Sequence, residues 1–544
     1  MGDHMRSMHP DIEIPKAHMA EFVMKDFGSW HDKIAIECAV TQKKYTFEEL
    51  RRNSINLGKA LRKVFELKKG DLVGLLLLNN PDYPICAFAT ILSGLTVTMI
   101  NSTYTVDEIA RHLKDSDVKV LFTHSSLWDT VQKAMQKLRM KIPIVIVKIK
   151  EDEVIPNEAI NYEDLLHLKT DLPDVVEIDD DQVICLPYSS GTTGLPKGVM
   201  LTNRNLVANL AQHDIPALQY AVKASKNYQE VLALVLPMYH IYGFTVSTMS
   251  LLKVGCKLIT IPKFKRNSYL EVLARHTPTI LHIVPPLVTF ITTHPGVKTE
   301  YFQRLKITLC GAAPLGGSDE DKFRAVVAKP TKIIQAYGMT ETSPMVFMTP
   351  YAEAGKYSGT FGHPVSNTLI KVVDPDDPTL KHLGPNKPGE ILIKGPQVMK
   401  GYYKNSTETE SAFVDGWYRT GDIAKYDENE MFFITDRIKE LIKVKGFQVA
   451  PFELEAIIKK FPGVLESAVI GIPHEYLGES PRAYVVQKPG EKVNTEELTQ
   501  FVRSKAAKHK HLVGGVVIVD RIPKNPSGKI LRRQLRSLYE NSRL

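Results

Sequence analysis

The sequence predicts an α/β protein with a large N-terminal part and a separate C-terminal module. Short apolar runs alternate with amphipathic segments along the N-terminal part, which is typical of parallel sheets covered by helices on both faces. The charge then changes: residues 436–544 hold 20 Lys/Arg against 12 Asp/Glu, which accounts for the whole net charge of +8. The chain of 544 residues is also longer than one hydrophobic core of about 250–300 residues supports. Two or three domains are therefore expected.

The apolar runs of the N-terminal part have the length of buried strands. They lie at residues 72–78, 118–123, 144–147, 231–236, 258–261 and 307–309. Residues 105–113 and 127–138 have helical spacing. The long uncharged run at 83–106 contains Pro84 and Gly94, so we expect it to divide into a helix and a strand at 95–100 rather than to cross a membrane.

The pattern changes twice further along the chain. Residues 365–401 contain short alternating stretches separated by Gly/Pro turns, which predicts a small β-barrel or sheet. A new α/β unit is expected after Asp436. The basic balance of this unit favours a role in handling an anionic partner, although the charge alone fits a solvated basic face without a partner equally well or better. Nucleic acid is not expected as that partner, because basic and aromatic residues do not interleave there.

Composition excludes several protein classes. Hydrophobic residues at 43% and charged residues at 24% are those of an ordinary soluble globular protein. The five cysteines are far apart and form no Cys-x-x-Cys pair, so neither a disulfide framework nor a structural zinc site is expected. They are Cys38, Cys86, Cys185, Cys256 and Cys310.

The C-terminal tripeptide is similar to a targeting signal. Ser542-Arg543-Leu544 resembles the peroxisomal address Ser-Lys-Leu, with Arg in place of Lys. We therefore expect a peroxisomal import receptor as a partner and the peroxisome as the location, with the cytoplasm as the alternative.

A loop rich in glycine and hydroxyl side chains is the sharpest feature of the sequence. Residues 189–198 read Ser-Ser-Gly-Thr-Thr-Gly-Leu-Pro-Lys-Gly, after the apolar run 183–186 and before a helical segment that starts near Asn203. Glycines let the backbone approach an anion, and hydroxyls and amides donate to phosphate oxygens. Lys197 adds a positive charge. The order differs from that of a Walker A loop, but binding of phosphate groups is still predicted.

This loop and six further motifs, in the same order, resemble those of the adenylate-forming enzymes. That family includes acyl- and aryl-CoA synthetases, adenylation domains and beetle luciferases. The further motifs are Gly-Ala-Ala-Pro at 311–314, Gln-Ala-Tyr-Gly-Met-Thr-Glu at 335–341, Tyr-Arg-Thr-Gly-Asp at 418–422, Asp-Arg-Ile-Lys-Glu at 436–440, Lys-Gly-Phe-Gln-Val at 445–449 and Pro-Lys-Asn-Pro-Ser-Gly-Lys at 523–529.

The resemblance implies a domain arrangement and a reaction. Residues 1–435 would form two stacked α/β subdomains plus a small β-barrel, residues 436–439 a hinge, and residues 440–544 a mobile α+β domain. The reaction implied is the ATP- and Mg²⁺-dependent conversion of a carboxylic acid to acyl-AMP and pyrophosphate, followed by transfer of the acyl group to coenzyme A.

The resemblance also implies roles for individual residues. Lys529 would be the catalytic lysine that bridges the carboxylate and the α-phosphate, and Glu341 would hold Mg²⁺. Asp422 would accept hydrogen bonds from the ribose, supported by Arg437. Coenzyme A would pass Lys445 and Gly446. The residues implied for ATP and AMP are Ser189, Ser190, Gly191, Thr192, Thr193, Gly194, Lys197, Gly311, Ala312, Ala313, Pro314, Gln335, Ala336, Tyr337, Gly338, Met339, Thr340, Asp422, Arg437, Lys439 and Lys529.

The acid pocket is implied by similarity to 4-coumarate–CoA ligases. His240 would lie at its mouth, as a second catalytic residue that hydrogen-bonds the carboxylate. The implied lining is His240, Tyr242, Val246, Gly311, Gly338, Pro344, Met345 and Val346, in which the glycines would leave room. This mostly apolar set favours a medium- or long-chain fatty acid or an aryl-type acid.

Three other functions remain open at this point. A luciferase-like monooxygenase is the first, although Ile241 stands where beetle luciferases usually have a second His, and residues 212–216 replace their Arg-containing segment. An adenylation enzyme that loads a carrier protein is the second. The third is a non-catalytic acyl-binding protein, against which the intact Lys529, Asp422 and Glu341 argue.

Overall fold

The fold is known from a computed structural model that describes residues 3–189, 196–328, 330–437, 440–444, 447–506, 508–525 and 528–542. In this part of the chain the strands form four sheets. Three belong to the N-terminal part and one to the C-terminal part. The predicted α/β class with a large N-terminal and a smaller C-terminal domain is confirmed. The exact boundaries predicted at 435/436 and 439/440 stay a prediction, and residues 438–439 of the predicted hinge lie outside the described residues.

The strands and helices have the following bounds. The strands before residue 200 begin with β1 Met5–Arg6, β2 Ile34–Cys38, β3 Lys44–Thr46, β4 Leu72–Leu76, β5 Thr96–Met99, β6 Val120–Thr123, β7 Ile144–Ile146, β8 Ile160–Asn161, β9 Val183–Cys185, β10 Tyr188–Ser189 and β11 Lys197–Thr202. The next are β12 Val231–Leu234, β13 Lys257–Thr260, β14 Ile280–Ile283, β15 Ile307–Cys310, β16 Lys332–Gly338, β17 Met345–Met348, β18 His363–Pro364, β19 Leu369–Val373, β20 Gly389–Lys394, β21 Gly401–Tyr402, β22 Phe413–Val414, β23 Trp417–Tyr426 and β24 Phe432–Arg437. The C-terminal part contains β25 Ile442–Val444, β26 Phe447–Val449, β27 Val464–His474, β28 Gly478–Gln487 and β29 Val516–Ile518. The α-helices are α1 Met19–Met24, α2 Phe47–Phe65, α3 Asp82–Leu92, α4 Val106–Ser116, α5 Trp128–Leu138, α6 Tyr162–Leu166, α7 Asn203–Gln212, α8 Ser250–Lys253, α9 Arg266–His276, α10 Pro285–Thr293, α11 Gly317–Val327, α12 Ser406–Ala412, α13 Pro451–Ile458, α14 Thr495–Lys505 and α15 Arg532–Asn541. Tyr242–Met249 forms a π-helix.

The two sheets of the N-terminal α/β layers share one hydrophobic core. The first has the order β10-β11-β9-β5-β4-β6-β7-β8, with β21 beside β11, and the second the order β18-β17-β16-β15-β14-β12-β13-β2-β3. Their central strands are parallel. Val97 of the first sheet and Leu232 of the second belong to the same cluster of buried side chains. All six apolar runs predicted as strands form strands, namely β4, β6, β7, β12, β13 and β15.

Local sequence explains where the predicted helices start. Thr105 caps α4 by accepting from the backbone N–H of Glu108, whose carboxylate accepts from Thr105 N–H in return. Thr202 and Asn205 make the same reciprocal pair at the start of α7. Such capping boxes satisfy backbone donors that the first helical turn leaves unpaired. Because β11 occupies residues 197–202, the helix near Asn203 follows a strand rather than the glycine-rich loop itself.

The region predicted as a small β-barrel or sheet forms an antiparallel sheet. Its order is β1-β19-β20-β23-β22, with β24 beside β23. The described ladder is an open path, so among the described residues the region is a sheet rather than a hydrogen-bonded ring. Ile370, Ile391 and Phe432 form its core with Val346.

The C-terminal part has its own sheet, of order β26-β25-β28-β27 with β29 beside β28. Two clusters of buried side chains from this part pack on its faces, one with α13 and α14 and the other with α15. Among the described residues no helix is both long enough and apolar enough to cross a bilayer. The five cysteines are buried free thiols.

Candidate active site

A cavity of about 960 Å³ lies where the N-terminal sheets meet the C-terminal part. It collects predicted site residues that are up to 340 positions apart in the chain. Those that line it are Ser189, Lys197, His240, Tyr242, Val246, Gly311, Ala312, Ala313, Pro314, Gln335, Ala336, Tyr337, Gly338, Met339, Thr340, Glu341, Pro344, Met345, Asp422 and Lys529. The order of the motifs along the chain thus becomes one site in space.

Some predicted residues cannot be placed in this site. Ser190, Gly191, Thr192, Thr193, Gly194, Lys439, Lys445 and Gly446 lie outside the described residues, as do Arg543 and Leu544. The backbone of Arg437 pairs with Asp422 across β23 and β24. Val346 was predicted in the acid pocket and is not there: its side chain is fully buried in the core of the antiparallel sheet, whereas its neighbour Met345 lines the cavity.

The turn at 311–314 is held from behind by Gln335. The amide Oε1 of Gln335 accepts from Leu315 N–H at 3.0 Å, and its Nε2 donates to Leu315 O at 3.0 Å and to Glu320 Oε1 at 2.7 Å. Ala312 has a φ of +66°, so the turn needs this support. The side chain of Gln335 therefore fixes the turn, a different task from the nucleotide contact predicted for it.

Tyr337 and Asp422 meet at the wall opposite this turn. The hydroxyl of Tyr337 donates to Asp422 Oδ2 at 2.7 Å. Asp422 is buried, and its backbone N–H donates to Thr420 Oγ1 at 3.0 Å. The hydrogen bond from Tyr337 to Asp422 joins β16 of the second sheet to β23 of the antiparallel sheet. Asp422 also lines the cavity.

Glu341 and Lys197 lie on either side of Tyr402. The Tyr402 hydroxyl donates to Glu341 Oε1 at 3.1 Å, and the Lys197 ammonium lies 4.7 Å from the centre of the Tyr402 ring. Burial and the Glu341 carboxylate raise the pKa of Tyr402, which keeps this hydroxyl a donor. Lys197, predicted to add a positive charge to the loop, is the first residue of β11 and is paired with Glu408.

His240 is a neutral imidazole at the centre of the cavity wall. Burial, and then the positive charge of Lys529, lower the pKa of His240 to about 4. Its Nδ1 accepts from Tyr242 N–H at 3.3 Å, which places the proton of the neutral ring on Nε2. The ring can therefore donate from Nε2 to an oxygen in the cavity.

Lys529 reaches the same cavity from the C-terminal part. Its backbone N–H donates to Asn525 Oδ1 at 2.8 Å, and Asn525 N–H donates to Lys529 O at 2.9 Å. Next to it, Gly528 has a φ of +84°, and a Cβ there would lie 2.9 Å from Pro286 of α10. This close approach seats the lysine loop against the N-terminal sheets.

Part of the cavity lining is apolar, and we call it the acid end after the acid pocket that the resemblance implies. Val246, Leu309, Ala336, Pro344 and Met345 contribute to it. The hydroxyl of Tyr242 is used by a 3.0 Å hydrogen bond to Leu309 O. The glycines act differently from each other. A Cβ at Gly311 would make ordinary contacts with Tyr242 at 3.4 Å and with Ala336 O at 3.5 Å, whereas a Cβ at Gly338 would lie 2.0 Å from Pro344 O. Gly338 is thus required by backbone packing rather than by the room predicted for substrate.

One residue that supports the segment carrying His240, Asn79, was not predicted from the sequence. The side chain of Asn79, which follows β4, donates to Leu236 O and accepts from Met238 N–H, both at 2.8 Å. This amide ties the first sheet to the segment that carries His240. A polar residue directly after a buried strand was the available signal, because the carboxyl ends of parallel strands face the ligand crevice.

The fold and this arrangement define a class, an enzyme that activates an acid with a nucleotide. Residues 25–403 match the AMP-binding enzyme family, and residues 453–529 match the AMP-binding enzyme C-terminal domain. 4-Coumarate–CoA ligase 1 of Arabidopsis thaliana is 36% identical over 98% of this chain and 95% of its own length. 4-Coumarate–CoA ligase 2 of Petroselinum crispum is also 36% identical, over 98% and 96%.

Solved structures agree with this class. ATP-bound MatB from Rhodopseudomonas palustris superposes with a TM-score of 0.85 at 28% identity, covering 96% of this chain and 99% of its own. A benzoate–CoA ligase from Burkholderia xenovorans LB400 shares the fold, with a TM-score of 0.84 at 22% identity over 96% and 100%. The chain belongs to the AMP-binding enzyme family. Within it, the protein is an AMP-forming acid–CoA ligase of the acyl/aryl type, with ATP and coenzyme A as co-substrates.

Proposed function

We propose that this ligase activates a hydrophobic carboxylic acid, of the medium- or long-chain fatty or aryl type, as acyl-AMP and passes the acyl group to coenzyme A. The observation that carries the proposal is the meeting of Lys529, His240, Asp422 and Glu341 in one cavity with an apolar end. Charged and hydrogen-bonding groups gather where a nucleotide and a carboxylate would react. The apolar groups lie where the rest of the acid would extend.

In the first step, a carboxylate oxygen attacks the α-phosphorus, and the bond to the bridging oxygen of the leaving pyrophosphate breaks. Negative charge spreads over the oxygens of the α-phosphate, so positioning and charge stabilisation dominate catalysis. The Lys529 ammonium would bridge the carboxylate and this phosphate. His240, neutral and able to donate from Nε2, would orient the second carboxylate oxygen. Asp422 would hold the ribose hydroxyls.

Glu341 is the residue proposed to hold Mg²⁺. The described residues contain no group of three His, Cys, Asp or Glu side chains placed to bind a metal. Mg²⁺ is commonly bound by one or two carboxylates together with substrate phosphates, so a single buried carboxylate facing the cavity fits it. When bound, the ion would neutralise charge on the phosphate oxygens.

In the second step, the thiol of coenzyme A attacks the acyl carbon and AMP leaves. The predicted path past Lys445 and Gly446 requires the C-terminal part to turn about residues 436–439 and withdraw Lys529. The net charge of +8 carried by residues 436–544 supports attraction of the anionic co-substrate.

The apolar end of the cavity supports an acid without a polar group at its far end. A hydroxyl placed among Val246, Leu309 and Met345 would exchange water for apolar side chains, and a buried hydroxyl that is left unpaired costs about 1–3 kcal/mol. We therefore propose that cinnamate and fatty acids are better substrates than 4-hydroxycinnamate, although the relatives are 4-coumarate–CoA ligases.

The location is proposed from the C-terminus. Ser542-Arg543-Leu544 would direct the ligase to the peroxisome through an import receptor, which suits an acid derived from lipid. A reporter fused in front of the full chain should enter peroxisomes, and removal of the three residues should leave it in the cytoplasm. Peroxisomal import of the shortened chain would contradict this address.

The reaction is tested by pyrophosphate release with ATP, Mg²⁺ and a panel of fatty and cinnamic-type acids, with and without coenzyme A. We expect release that depends on the acid and rises with coenzyme A. The ligase step would be contradicted if pyrophosphate release depended on the acid but not on coenzyme A, and the acyl group were transferred to a carrier protein. Light emission with luciferin, ATP and oxygen would indicate oxygenase chemistry. A failure of every acid to release pyrophosphate would contradict the proposed acid class.

A further inference from the structure

Helix α7 follows β11, the strand that leaves the glycine-rich loop, and carries a row of buried amides on one face. Asn205, Asn209 and Gln212 are spaced by four and three residues, so they share that face. All three are buried. A buried amide that makes no hydrogen bond destabilises the protein, so the partners of these three side chains indicate which segments they hold.

The outer two amides bind the segments next to the antiparallel sheet. Asn205 Nδ2 donates to Pro396 O at 2.8 Å and to Val398 O at 2.9 Å. Gln212 Nε2 donates to Ser366 O at 2.6 Å and contacts Gln397 Oε1 at 3.2 Å. Gln212 is the first residue of the segment 212–216, which stands in place of the Arg-containing segment of beetle luciferases.

The central amide binds the wall of the acid pocket. Asn209 Nδ2 donates to Met345 O at 2.7 Å, and Asn209 Oδ1 accepts from Met345 N–H at 3.1 Å. Asn209 is fully buried, and its Nδ2 also reaches Gln212 Oε1 at 3.0 Å. One side chain thereby supplies both hydrogen bonds that a neighbouring strand would give to Met345, the first residue of β17.

We propose that Asn209 is a positioning residue that sets the acid pocket relative to the phosphate loop. Met345 lines the acid end, and α7 is joined to the loop through β11. Fixing the Met345 backbone to α7 therefore fixes the distance between the acid and the triphosphate. The inference rests on the proposed function in taking Met345 as a wall of the acid pocket.

The same helix offers a matched control. Asn203 is buried and also makes one donor and one acceptor bond to the backbone. Its Nδ2 donates to Ala17 O at 2.8 Å, and its Oδ1 accepts from Met19 N–H at 2.8 Å. Its partners belong to the N-terminal segment, and neither Ala17 nor Met19 lines the cavity. Each amide makes two hydrogen bonds to the backbone of another segment, and Asn209 makes a third to Gln212, but of the two amides only Asn209 holds a residue that lines the cavity.

The test compares Asn209→Leu with Asn203→Leu in the full-length enzyme, using pyrophosphate release. Leu keeps the approximate volume and makes no hydrogen bond. For Asn209→Leu we expect the KM for the acid to rise about tenfold or more, a scale set by one misplaced group in a hydrophobic pocket. The KM for ATP should change far less, and the ranking of acids in the panel should change. Asn203→Leu should lower the Tm to a similar degree without altering the KM for the acid.

Several results would overturn this inference. One is a parallel change of both KM values in both variants, and another is a lower Tm for Asn209→Leu with acid kinetics unaltered. If Asn209→Leu does not fold, Asn209→Asp replaces it, since it keeps the acceptor for Met345 N–H and loses the amide donor. Failure of both to fold would give Asn209 a purely structural role. Wild-type turnover of the acids tests the proposed function by itself, so the two failures are distinguishable.

Discussion

Three buried, neutral amides hold segments on the N-terminal side of the cavity, whereas an ion pair between Lys459 and Asp319 joins the C-terminal part to the N-terminal sheets. Asn79, Gln335 and Asn209 each bond to both the N–H and the C=O groups of the backbone they hold, over distances of 2.7–3.1 Å. All three are buried. Such bonds are directional and are costly to leave unmade, so this side is built to keep one geometry.

The C-terminal side uses ion pairs. Lys459 Nζ lies 2.7 Å from Asp319 Oδ2 across the boundary, with 32% and 18% of the side chains exposed. Within the C-terminal part, Arg532 pairs with Glu440 at 2.7 Å and with Glu455 at 2.6 Å. The partly exposed Lys459–Asp319 pair contributes little and is screened by salt, whereas the Arg532 pairs are mostly buried, with at most 21% of either side chain exposed. The difference suits a site in which one side stays fixed and the other withdraws between two steps.

The largest expected effect comes from Lys529→Ala, which removes a charged group proposed to reach the reacting atoms from the C-terminal part. Formation of acyl-AMP should slow by about 10²-fold, the scale for loss of one charge-stabilising group. Thioester formation from preformed acyl-AMP should slow much less. Quenched-flow measurement of each half-reaction makes the comparison, with Lys510→Ala as control because Lys510 pairs with Glu453 within the C-terminal part. Equal loss in both half-reactions would remove Lys529 from this role.

The next effect tests the fixed side. Gly338→Ala would place a Cβ 2.0 Å from Pro344 O, where only a backbone shift can make room. Overpacking of this kind costs about 1–3 kcal/mol in the free energy of unfolding. The shift should also move Pro344 and raise the KM for the acid. Gly28→Ala is the control, because a Cβ there meets nothing within 4 Å. Similar urea midpoints for the two variants would show that β16 and β17 separate easily.

Acid should weaken the N-terminal side more gradually. The His112 ring packs against the Tyr188 ring. Burial lowers the pKa of His112 to about 3. Between the unfolded value of 6.5 and this folded value, the unfolded chain binds a proton that the folded chain does not. The free energy of unfolding therefore falls as pH falls, by up to about 1.4 kcal/mol per pH unit. His112→Gln should reduce this slope in urea titrations between about pH 7 and pH 5. An unaltered slope would mean that His112 takes up its proton in the folded state.

Much of the fold was predictable because the determining signals are local. Apolar runs predicted β4, β6, β7, β12, β13 and β15, and the Thr105–Glu108 capping box marks the start of α4. Strand β11 was not predicted, because its first two residues were assigned to the glycine-rich loop. The π-helix Tyr242–Met249 has no distinct periodicity in its sequence.

The candidate site was predictable where motifs carry it, but the supports behind the motifs were not. Asn209 and Met345 are 136 residues apart, and a lone Asn in a helix has many possible partners. Gly338 could be identified as important, yet its reason, the approach of Pro344 O, depends on how β16 meets β17. Motifs specify the groups that face a substrate, whereas the contacts that hold them depend on tertiary packing.

The smallest expected effect is at the contact between the two sides. Lys459→Ala should slow acyl-AMP formation by a few-fold, since partly exposed pairs are worth about 0.2–1 kcal/mol. It should leave thioester formation from preformed acyl-AMP equal or faster, because the pair favours the arrangement with Lys529 in the cavity. Raising the salt to about 0.5 M should reproduce the effect in the wild type and remove the difference between the two proteins.

Exchange of the two charges tests the pair directly. Asp319→Lys together with Lys459→Asp should restore the wild-type rates of the two half-reactions. If the double exchange is no better than either single change, Asp319 and Lys459 act independently, and their pair does not favour the arrangement with Lys529 in the cavity.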